Sequence, residues 1–410
     1  MKRAVQQTTR DLRRHNRSTL LSSLYVRGPL SRQDLIKESG LSSATVSNVV
    51  SDLINDGVVE EAGLVDSDGG RPRTLIRVRG DFGRVVGVDI GETHVQIGLF
   101  DYTLDTITTA TYPVAGTGLE PEAVARLVVT GIDQVTSEVG LDPAELLGVG
   151  VGVPGAVAAA AHELVYAPTL GWSAAPLGDL VRRDVSVPVY VDNCARTLGK
   201  AEMWRGAGRG ASRAVVALIG VGVGAAFTTA ADPLRDATSM TSEWGHTVIN
   251  VDGRPCRCGS RGCLEAYVGA EAILEDYQAL PESRAFESAD TETRLAELVA
   301  RAEAPGPEAE ILDRIAKYLG IGIANLVNLL SPDLVVLAGW AGATLGPAIL
   351  PAVRETAGRH ALPYLRGQVR IKLGELGPEA VAMGAATLPV MRVLASGDFS
   401  PKGAGALQPH

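Results

Sequence analysis

The sequence lacks any apolar run long enough to cross a membrane, and it lacks an apolar segment near its start. Residues 1–17 are basic and polar, whereas a secretion signal requires an apolar core. The apolar run at residues 149–157 is interrupted by glycine and proline and is too short to span a bilayer. These absences predict a soluble protein of the cytoplasm.

Cysteine is also scarce, because the chain of 410 residues contains only four. Three of the four follow a histidine in the pattern Gly-His-x9-Cys-x-Cys-x4-Cys-x-Glu, which spans residues 245–265. His246, Cys256, Cys258 and Cys263 would supply the four ligands of a closed, tetrahedral structural zinc site. Clustered thiols in a chain without a secretion signal favour metal binding over disulfides. Redox chemistry or chance clustering is the alternative.

Positive charge is scarce, because the net charge of the chain is −9, but it is unevenly distributed along the sequence. Residues 1–80 carry thirteen Lys/Arg against nine Asp/Glu, a balance of +4, and the remainder has a balance of −13. The hydrophobic fraction of 46% is that of an ordinary globular protein, and the length predicts two or three domains. A mildly basic N-terminal module on an acidic body suggests a phosphate-binding head on a soluble effector domain.

The first eighty residues predict three helices. Apolar residues at helical spacing favour a helix over residues 16–26. Ser31 would begin a second helix, with Asp34 completing a capping box. Gly40 would end it, and Ser42 would cap a third helix that runs to about Asn55.

The third helix divides into an apolar face and a face of small polar residues, which is typical of the recognition helix in a helix-turn-helix. Residues 58–61 and 74–78 are predicted to form a wing around a flexible basic tip at residues 68–73. The alternative is a three-helix packing module without DNA contact. The candidate DNA contacts are Arg32, Ser43, Ala44, Thr45, Ser47, Asn48, Arg71 and Arg73.

From residue 84 the chain becomes a glycine-rich α/β sequence that resembles the ROK family of repressors, open reading frames and sugar kinases. The zinc pattern from Gly245 carries the resemblance most specifically. It is supported by Gly-Val-Pro-Gly at 152–155, Ala-Pro-Thr-Leu-Gly-Trp at 167–172, the segment 188–206 and Gly-Ala-Ala at 384–386. The resemblance covers nearly the whole chain.

This resemblance implies an α/β architecture with a winged helix-turn-helix at residues 1–80. A two-lobed actin-like (ribonuclease H-like) sugar-kinase fold would follow at 81–395, and residues 396–410 are expected to be disordered. Members with such a head are typically sugar-responsive transcription regulators. The expected function is therefore a repressor of carbohydrate genes that binds an operator and a sugar as a homodimer or homotetramer.

Several departures from the family's kinase pattern predict that the protein is not an enzyme. The first phosphate loop, normally Asp-x-Gly-Gly-Thr-Lys, reads Asp89-Ile-Gly-Glu-Thr-His94, so Glu92 would repel phosphate. The second loop, Gly-Val-Gly at 220–222, lacks the usual threonine, and Trp340 replaces a glycine. Cys194 aligns with the catalytic aspartate and would be a poor base.

The family's sugar-contacting positions correspond here to Gly155, Thr169, Asn193, Glu243, His246 and Glu265. His246 could bind zinc through one ring nitrogen and face the sugar with the other. Three alternatives remain open. The pocket could be a relic that binds nothing, the chain could be a bifunctional sugar kinase, or it could bind DNA without a ligand.

Overall fold

The computed structural model describes residues 8–67, 70–114, 119–158, 164–229 and 240–397. Side chains at 67, 70, 71 and 240–242 are not part of this description. The predicted wing-tip residues Asp68 and Gly69 and the predicted tail from 398 onward lie outside it. Within the described ranges, no helix combines the length and apolar character that crossing a membrane requires.

The N-terminal head is a winged helix-turn-helix. Its elements are α1 (Thr9–Arg27), β1 (Leu30–Ser31), α2 (Arg32–Ser39), α3 (Ser43–Asn55), β2 (Val59–Ser67) and β3 (Gly70–Val78), with sheet order β1-β3-β2. Ser31 and Asp34 form the predicted capping box of α2, and Gly40 ends that helix in the left-handed conformation. The Ser42 side chain accepts a hydrogen bond from the Thr45 amide at the start of α3.

The head departs from the sequence prediction in the lengths of its elements. Helix α1 begins at Thr9, seven residues before the predicted start, because Thr8 and Asp11 form a second capping box that was missed. The two wing strands pair over nine residues each, beyond the predicted spans. Strand β1 was not predicted, and it depends on pairing Leu30 with Ile76 across the domain.

The body consists of two lobes, each with a five-stranded sheet of the same topology. In each sheet the first three strands along the chain are antiparallel, and two further strands add in parallel beside the first. The N-terminal lobe has sheet order β11-β7-β4-β5-β6 and a small sheet β10-β9-β8. Its elements are β4 (Arg84–Ile90), β5 (His94–Asp101), β6 (Thr106–Pro113), α4 (Pro121–Ser137), β7 (Val149–Val153), β8 (Ala156–Ala158), β9 (Leu164–Ala167), β10 (Trp172–Ala175), α5 (Leu177–Arg182) and β11 (Val189–Asn193).

The C-terminal lobe repeats this arrangement in the order β14-β13-β12-β15-β16 and adds a layer of helices. Its strands are β12 (Arg213–Ile219), β13 (Val223–Thr229), β14 (Met240–Ser242), β15 (Leu334–Ala338) and β16 (Arg370–Leu373). Its helices are α7 (Glu265–Val268), α8 (Ala270–Gln278), α9 (Thr291–Arg301), α10 (Pro307–Leu330), α11 (Trp340–His360) and α12 (Pro363–Arg366).

Two helices lie between the lobes and pack closely on each other. They are α6 (Cys194–Arg205), which follows β11, and α13 (Ala380–Ser396), the last helix described. Gly384 of α13 lies directly against α6, because a Cβ placed there would be 1.8 Å from the Thr197 carbonyl oxygen. Only glycine permits this approach, so α6 and α13 form one rigid unit between the lobes.

The head shares a single hydrophobic core with the body. The Tyr25 hydroxyl of α1 donates to the Tyr102 carbonyl. The centroids of the Tyr25 ring and of the Trp204 ring of α6 are 5.3 Å apart. Arg17 of α1 donates from Nε to the Gly397 carbonyl at 3.1 Å. Ser396 ends α13 and Gly397 caps it, so ordered chain continues past the predicted domain end at residue 395.

Replacing Tyr25 with alanine should loosen the head from the body. The change removes two edge-on ring contacts and leaves the Tyr102 carbonyl without its donor, at a cost of about 2–3 kcal/mol. We expect calorimetry to show a separate, earlier melting transition for the head. Tyr364→Ala, at a side chain that is 78% exposed, is the matched control. A single unchanged transition in Tyr25→Ala would contradict the docked arrangement.

Candidate functional site

The predicted metal ligands converge on one point. The ligand atoms of His246, Cys256, Cys258 and Cys263 all lie within 4.8 Å of one another. The Sγ atoms of Cys258 and Cys263 are 3.8 Å apart, and His246 Nδ1 is 3.6 Å from Cys256 Sγ. Tetrahedral zinc with bonds of about 2.3 Å to sulfur and 2.0–2.1 Å to nitrogen requires nearly these separations. The donor set therefore fits a tetrahedral metal ion.

A tight turn builds this cluster from the local sequence. Gly259 adopts a positive φ of 88°, and its amide donates to the Cys256 carbonyl at 2.9 Å. The Cys256 amide donates in turn to Ser260, which brings the chain back toward Cys263. Burial, and then the neighbouring sulfurs, raise the pKa of Cys256 to about 12. Burial also raises the pKa of Cys263, whereas at Cys258 burial is outweighed by hydrogen bonds from the Ser260 backbone and the neighbouring cysteines, which lower its pKa. A bound cation would be needed to hold all three as thiolates.

Two of the predicted sugar contacts of the N-terminal lobe, Gly155 and Asn193, meet at the start of α6. Asn193 caps this helix, because its Oδ1 accepts from the amides of Ala195 and Arg196 at 2.8 and 3.2 Å. Its Nδ2 donates to the Gly155 carbonyl at 2.6 Å. Gly155 has a φ of 81°, and a Cβ there would be 2.1 Å from the Tyr166 carbonyl oxygen. The Thr169 hydroxyl is buried without a hydrogen-bond partner among the described residues.

The predicted sugar contacts of the C-terminal lobe differ in whether their polar atoms are free to bind a ligand. Glu243 is exposed, while His246 directs Nδ1 toward the sulfur cluster and leaves Nε2 for another partner. Glu265 is buried, and both of its carboxylate oxygens are engaged. Oε2 accepts from the Val223 amide at 2.9 Å, and Oε1 accepts from Arg257 Nε at 2.8 Å. Thr169 and Glu243 are therefore the side chains most available to a sugar hydroxyl.

The segment that the family uses for catalysis carries no free carboxylate. Asp192 is buried and bound by Lys200 Nζ at 2.9 Å, with Arg196 Nε 3.3 Å away. It cannot replace the aspartate that is missing two residues further on, at position 194. Cys194 is the first residue of α6, and burial together with the negative charge of Asp89 raises the pKa of its thiol well above the usual value. That thiol stays protonated at neutral pH and is not a general base.

Arg257, a residue that the sequence did not single out, connects the two lobes. Arg257, between two ligand cysteines, pairs with Glu92 of the first phosphate loop. His94 of the same loop has a side chain only 21% exposed, and its Nδ1 lies 3.7 Å from Glu292 Oε1 of α9. Burial raises the pKa of the neighbouring Asp89 to about 6. Only the opposite charges of Glu92 and Arg257 hinted at these contacts, because 165 residues separate the pair.

The candidate DNA-binding face lies on α3. Ser43, Ala44, Ser47 and Asn48 are exposed, whereas Thr45 is half-buried and shares a hydrogen bond with Ser42. The opposite face of the helix packs into the core through Val46, Val49, Val50 and Leu53.

The predicted arginine contacts flank this face in ion pairs. Arg32 lies 3.9 Å from Glu61, and Arg73 lies 3.7 Å from Asp34. Both pairs are loose and partly exposed, so either arginine can exchange its partner for a phosphate. The Arg71 side chain is not part of the described structure.

The fold and the site define a DNA-binding protein whose effector body is a sugar-kinase-like scaffold with a His/Cys3 cluster. A profile of the ROK family matches residues 85–391, and a winged helix-turn-helix DNA-binding profile matches residues 13–60. The chain belongs to the ROK family. Its architecture is that of the sugar-responsive, DNA-binding repressors of this family, with the family's kinases as more distant relatives.

Regulators and kinases among the relatives differ in how much of this chain they cover. The xylose repressor of Caldicellulosiruptor bescii is 29% identical over 95% of this chain and 98% of its own. The glucokinase of Halalkalibacterium halodurans is also 29% identical, but over 74% of this chain and 94% of its own. A crystal structure of a ROK family transcriptional regulator, a homologue of the E. coli MLC protein, has a TM-score of 0.75. It is 20% identical and covers 95% of this chain and 98% of its own.

Removing one cluster ligand should abolish metal binding. Cys263→Ala leaves three ligands, so we expect the purified protein to lose about one equivalent of bound metal and to melt several degrees lower. Metal analysis by mass spectrometry and thermal unfolding provide the measurements. Cys194→Ala removes the one cysteine outside the cluster and should retain the metal. Equal metal content in both variants would contradict the assignment.

Proposed function

We propose that this protein is a sugar-responsive transcriptional repressor in which phosphoryl transfer has been lost. Residues 1–80 would bind the operator, and residues 81–395 would hold the sugar between the lobes. The carrying observation is that the recognition helix belongs to a head whose core is continuous with the two-lobed body. Xylose is the first sugar to test, since the xylose repressor relative covers nearly the full chain.

DNA recognition would use the exposed polar face of α3 in the major groove. Asn48 can pair with an adenine edge through its amide, and the small side chains of Ser43, Ala44 and Ser47 permit close approach. Thr45 would add a hydroxyl, and Arg32, Arg71 and Arg73 would contact phosphates or the minor groove. One such helix reads one half-site, so we propose a homodimer or homotetramer on a two-fold symmetric operator.

Loss of kinase activity is supported by the state of each group that the reaction would need. The thiol of Cys194 is held protonated, and Asp192 is already neutralised by two cations. Glu92 adds a carboxylate at the phosphate loop. Phosphoryl transfer depends on cations that neutralise the phosphate groups and on a base for the attacking hydroxyl. The described groups at these positions are already paired with each other or held protonated.

Sugar binding is supported by polar groups that are available to a ligand. The Thr169 hydroxyl is buried and has no partner within the described part of the chain, which costs free energy unless a ligand or water satisfies it. Glu243 can accept hydrogen bonds from hydroxyl groups, and His246 Nε2 is available beside it. Gly155, Asn193 and Glu265 would then shape the pocket, because their polar atoms are largely occupied by the protein.

We infer that the ion in the His/Cys3 cluster is zinc with a structural role. Three sulfur ligands and one imidazole select zinc, and four protein ligands leave no position for water. Bound zinc would supply rigidity and no chemistry. It would fix the His246 ring and the loop that carries Arg257 and Glu265.

Helix α6 would transmit the effect of sugar binding to the DNA-binding head. Its first turn is capped by Asn193 at the predicted pocket, and its last turn presents Trp204 to Tyr25 of the head. Twelve helical residues span about 18 Å as one rigid rod. A sugar that changes the position of α6 would change the orientation of the head, provided that its affinity differs between the two arrangements.

Substituting Asn48 should remove operator specificity. Asn48→Ala loses a paired base contact, so we expect operator affinity to fall by about 1–3 kcal/mol, roughly 5- to 150-fold. Fluorescence anisotropy on operator and on scrambled DNA gives the measurement. Asn55→Ala is the matched control, because Asn55 is exposed at the far end of the same helix. Equal losses in both variants would exclude α3 as the recognition helix.

A sugar should stabilise the protein without being phosphorylated. We expect at least one member of a panel containing xylose, glucose and N-acetylglucosamine to raise the melting temperature, as binding to the native state requires. A coupled assay with Mg-ATP should detect no sugar-dependent ADP. Turnover that disappears in Cys194→Ala would instead indicate a bifunctional kinase, and a panel without any effect would indicate a ligand-independent regulator.

A further inference from the structure

The two lobes are joined across the cleft by a chain of charged side chains. Arg257 donates from Nη1 to Glu92 Oε2 at 2.5 Å and from Nη2 to Glu92 Oε1 at 3.0 Å. Its Nε donates to Glu265 Oε1 at 2.8 Å. Glu265 then accepts from the Val223 amide of β13 through its other oxygen. The chain thus runs from the β4–β5 turn of one lobe to the sheet of the other.

This ion pair lies over the glycine loop at residues 220–222. A Cβ placed on Gly222 would be 3.0 Å from Arg257 Nη2 and 3.4 Å from Glu92 Oε1. Glycine loops of this kind allow an anion to approach the backbone closely. Two carboxylates lie beside this loop, because Glu265 Oε2 would be 3.5 Å from the same Cβ, and the Arg257 guanidinium is shared between Glu92 and Glu265.

The two carboxylates are largely withdrawn from water, whereas Arg257 is partly open to solvent. The side chains of Glu92, Arg257 and Glu265 are 14%, 31% and 7% exposed. A bidentate pair in such surroundings is stronger than a surface ion pair, and removing one partner leaves the other charge unsatisfied. The same turn makes a second approach to the opposite lobe, since His94 Nδ1 lies 3.7 Å from Glu292 Oε1.

We propose that Glu92 fills an anion subsite of the cleft with the protein's own carboxylate. Through Arg257 it holds the lobes together without a nucleotide, and it restricts the cleft to ligands that carry no phosphate. The excluded class of ligand is phosphate-bearing anions, including nucleoside triphosphates and sugar phosphates. This restriction on the ligand rests on the proposed sugar binding, whereas the ion pair itself does not.

The test compares zinc-loaded, full-length wild type with Glu92→Gln, which keeps the side-chain size and removes its charge. Glu271→Gln removes the same charge from an exposed residue close enough to influence Glu92, and it serves as the matched control. One measurement is the affinity for sodium tripolyphosphate by calorimetry at low salt. The other is amide hydrogen exchange at residues 91–94 and 253–262 without ligand.

For Glu92→Gln we expect tripolyphosphate to bind at least about tenfold more tightly than to wild type, and exchange in both segments to accelerate by a similar factor. Glu271→Gln should match wild type in both measurements. Equal tripolyphosphate affinity in Glu92→Gln and wild type would overturn the filled subsite. Unchanged exchange in Glu92→Gln would overturn the link between the lobes.

Operator binding by the same variants separates this proposal from the proposed function. Glu92 and Glu271 lie in the body, so both variants should retain the operator's sequence preference through α3. Wild type that bound no DNA would refute the proposed repressor and leave the tripolyphosphate and exchange results valid.

Discussion

The close packing of α6 on α13 is the constraint on which the rest of the structure depends. Gly384 brings the two backbones together, and no larger residue fits beside the Thr197 carbonyl. Through this contact the cleft at the start of α6 is mechanically joined to the middle and to the C-terminal end of α1. Trp204 at the end of α6 meets Tyr25, while Gly397 at the end of α13 meets Arg17. A repressor of this design needs no flexible linker to sense its ligand.

Electrostatics in the cleft explains how a kinase scaffold can become a sensor. Phosphoryl transfer needs free positive charge and an ionised base, yet Arg257 and Asp192 are already paired within the protein. Arg257 is shared by two glutamates, and Asp192 is bound by Lys200. The groups left to bind a ligand include the Thr169 hydroxyl and the exposed Glu243 carboxylate. An uncharged polyol suits such a site better than a phosphate.

Sequence reasoning succeeded where the chemistry is local. Capping at Ser31 and Ser42, the apolar face of α3 and the spacing of the cysteines all depend on residues within one or two turns of each other. It failed where partners are distant along the chain. The docking of Tyr25 on the body and the pairing of Glu92 with Arg257 depend on the packing of whole domains, which no short pattern encodes. Glu265 illustrates both cases, because its place beside the metal loop was predicted but the engagement of both its oxygens was not.

The most direct test of the central claim is reciprocal linkage between sugar and operator. Calorimetric titration of the stabilising sugar, first into the free protein and then into the operator complex, gives two dissociation constants. If α6 couples the cleft to the head, the operator should weaken sugar binding by the same factor by which sugar weakens operator binding, typically about 5- to 150-fold. If the protein binds both sugar and operator, but its affinity for the sugar is the same in the free protein and in the operator complex, the coupling is contradicted.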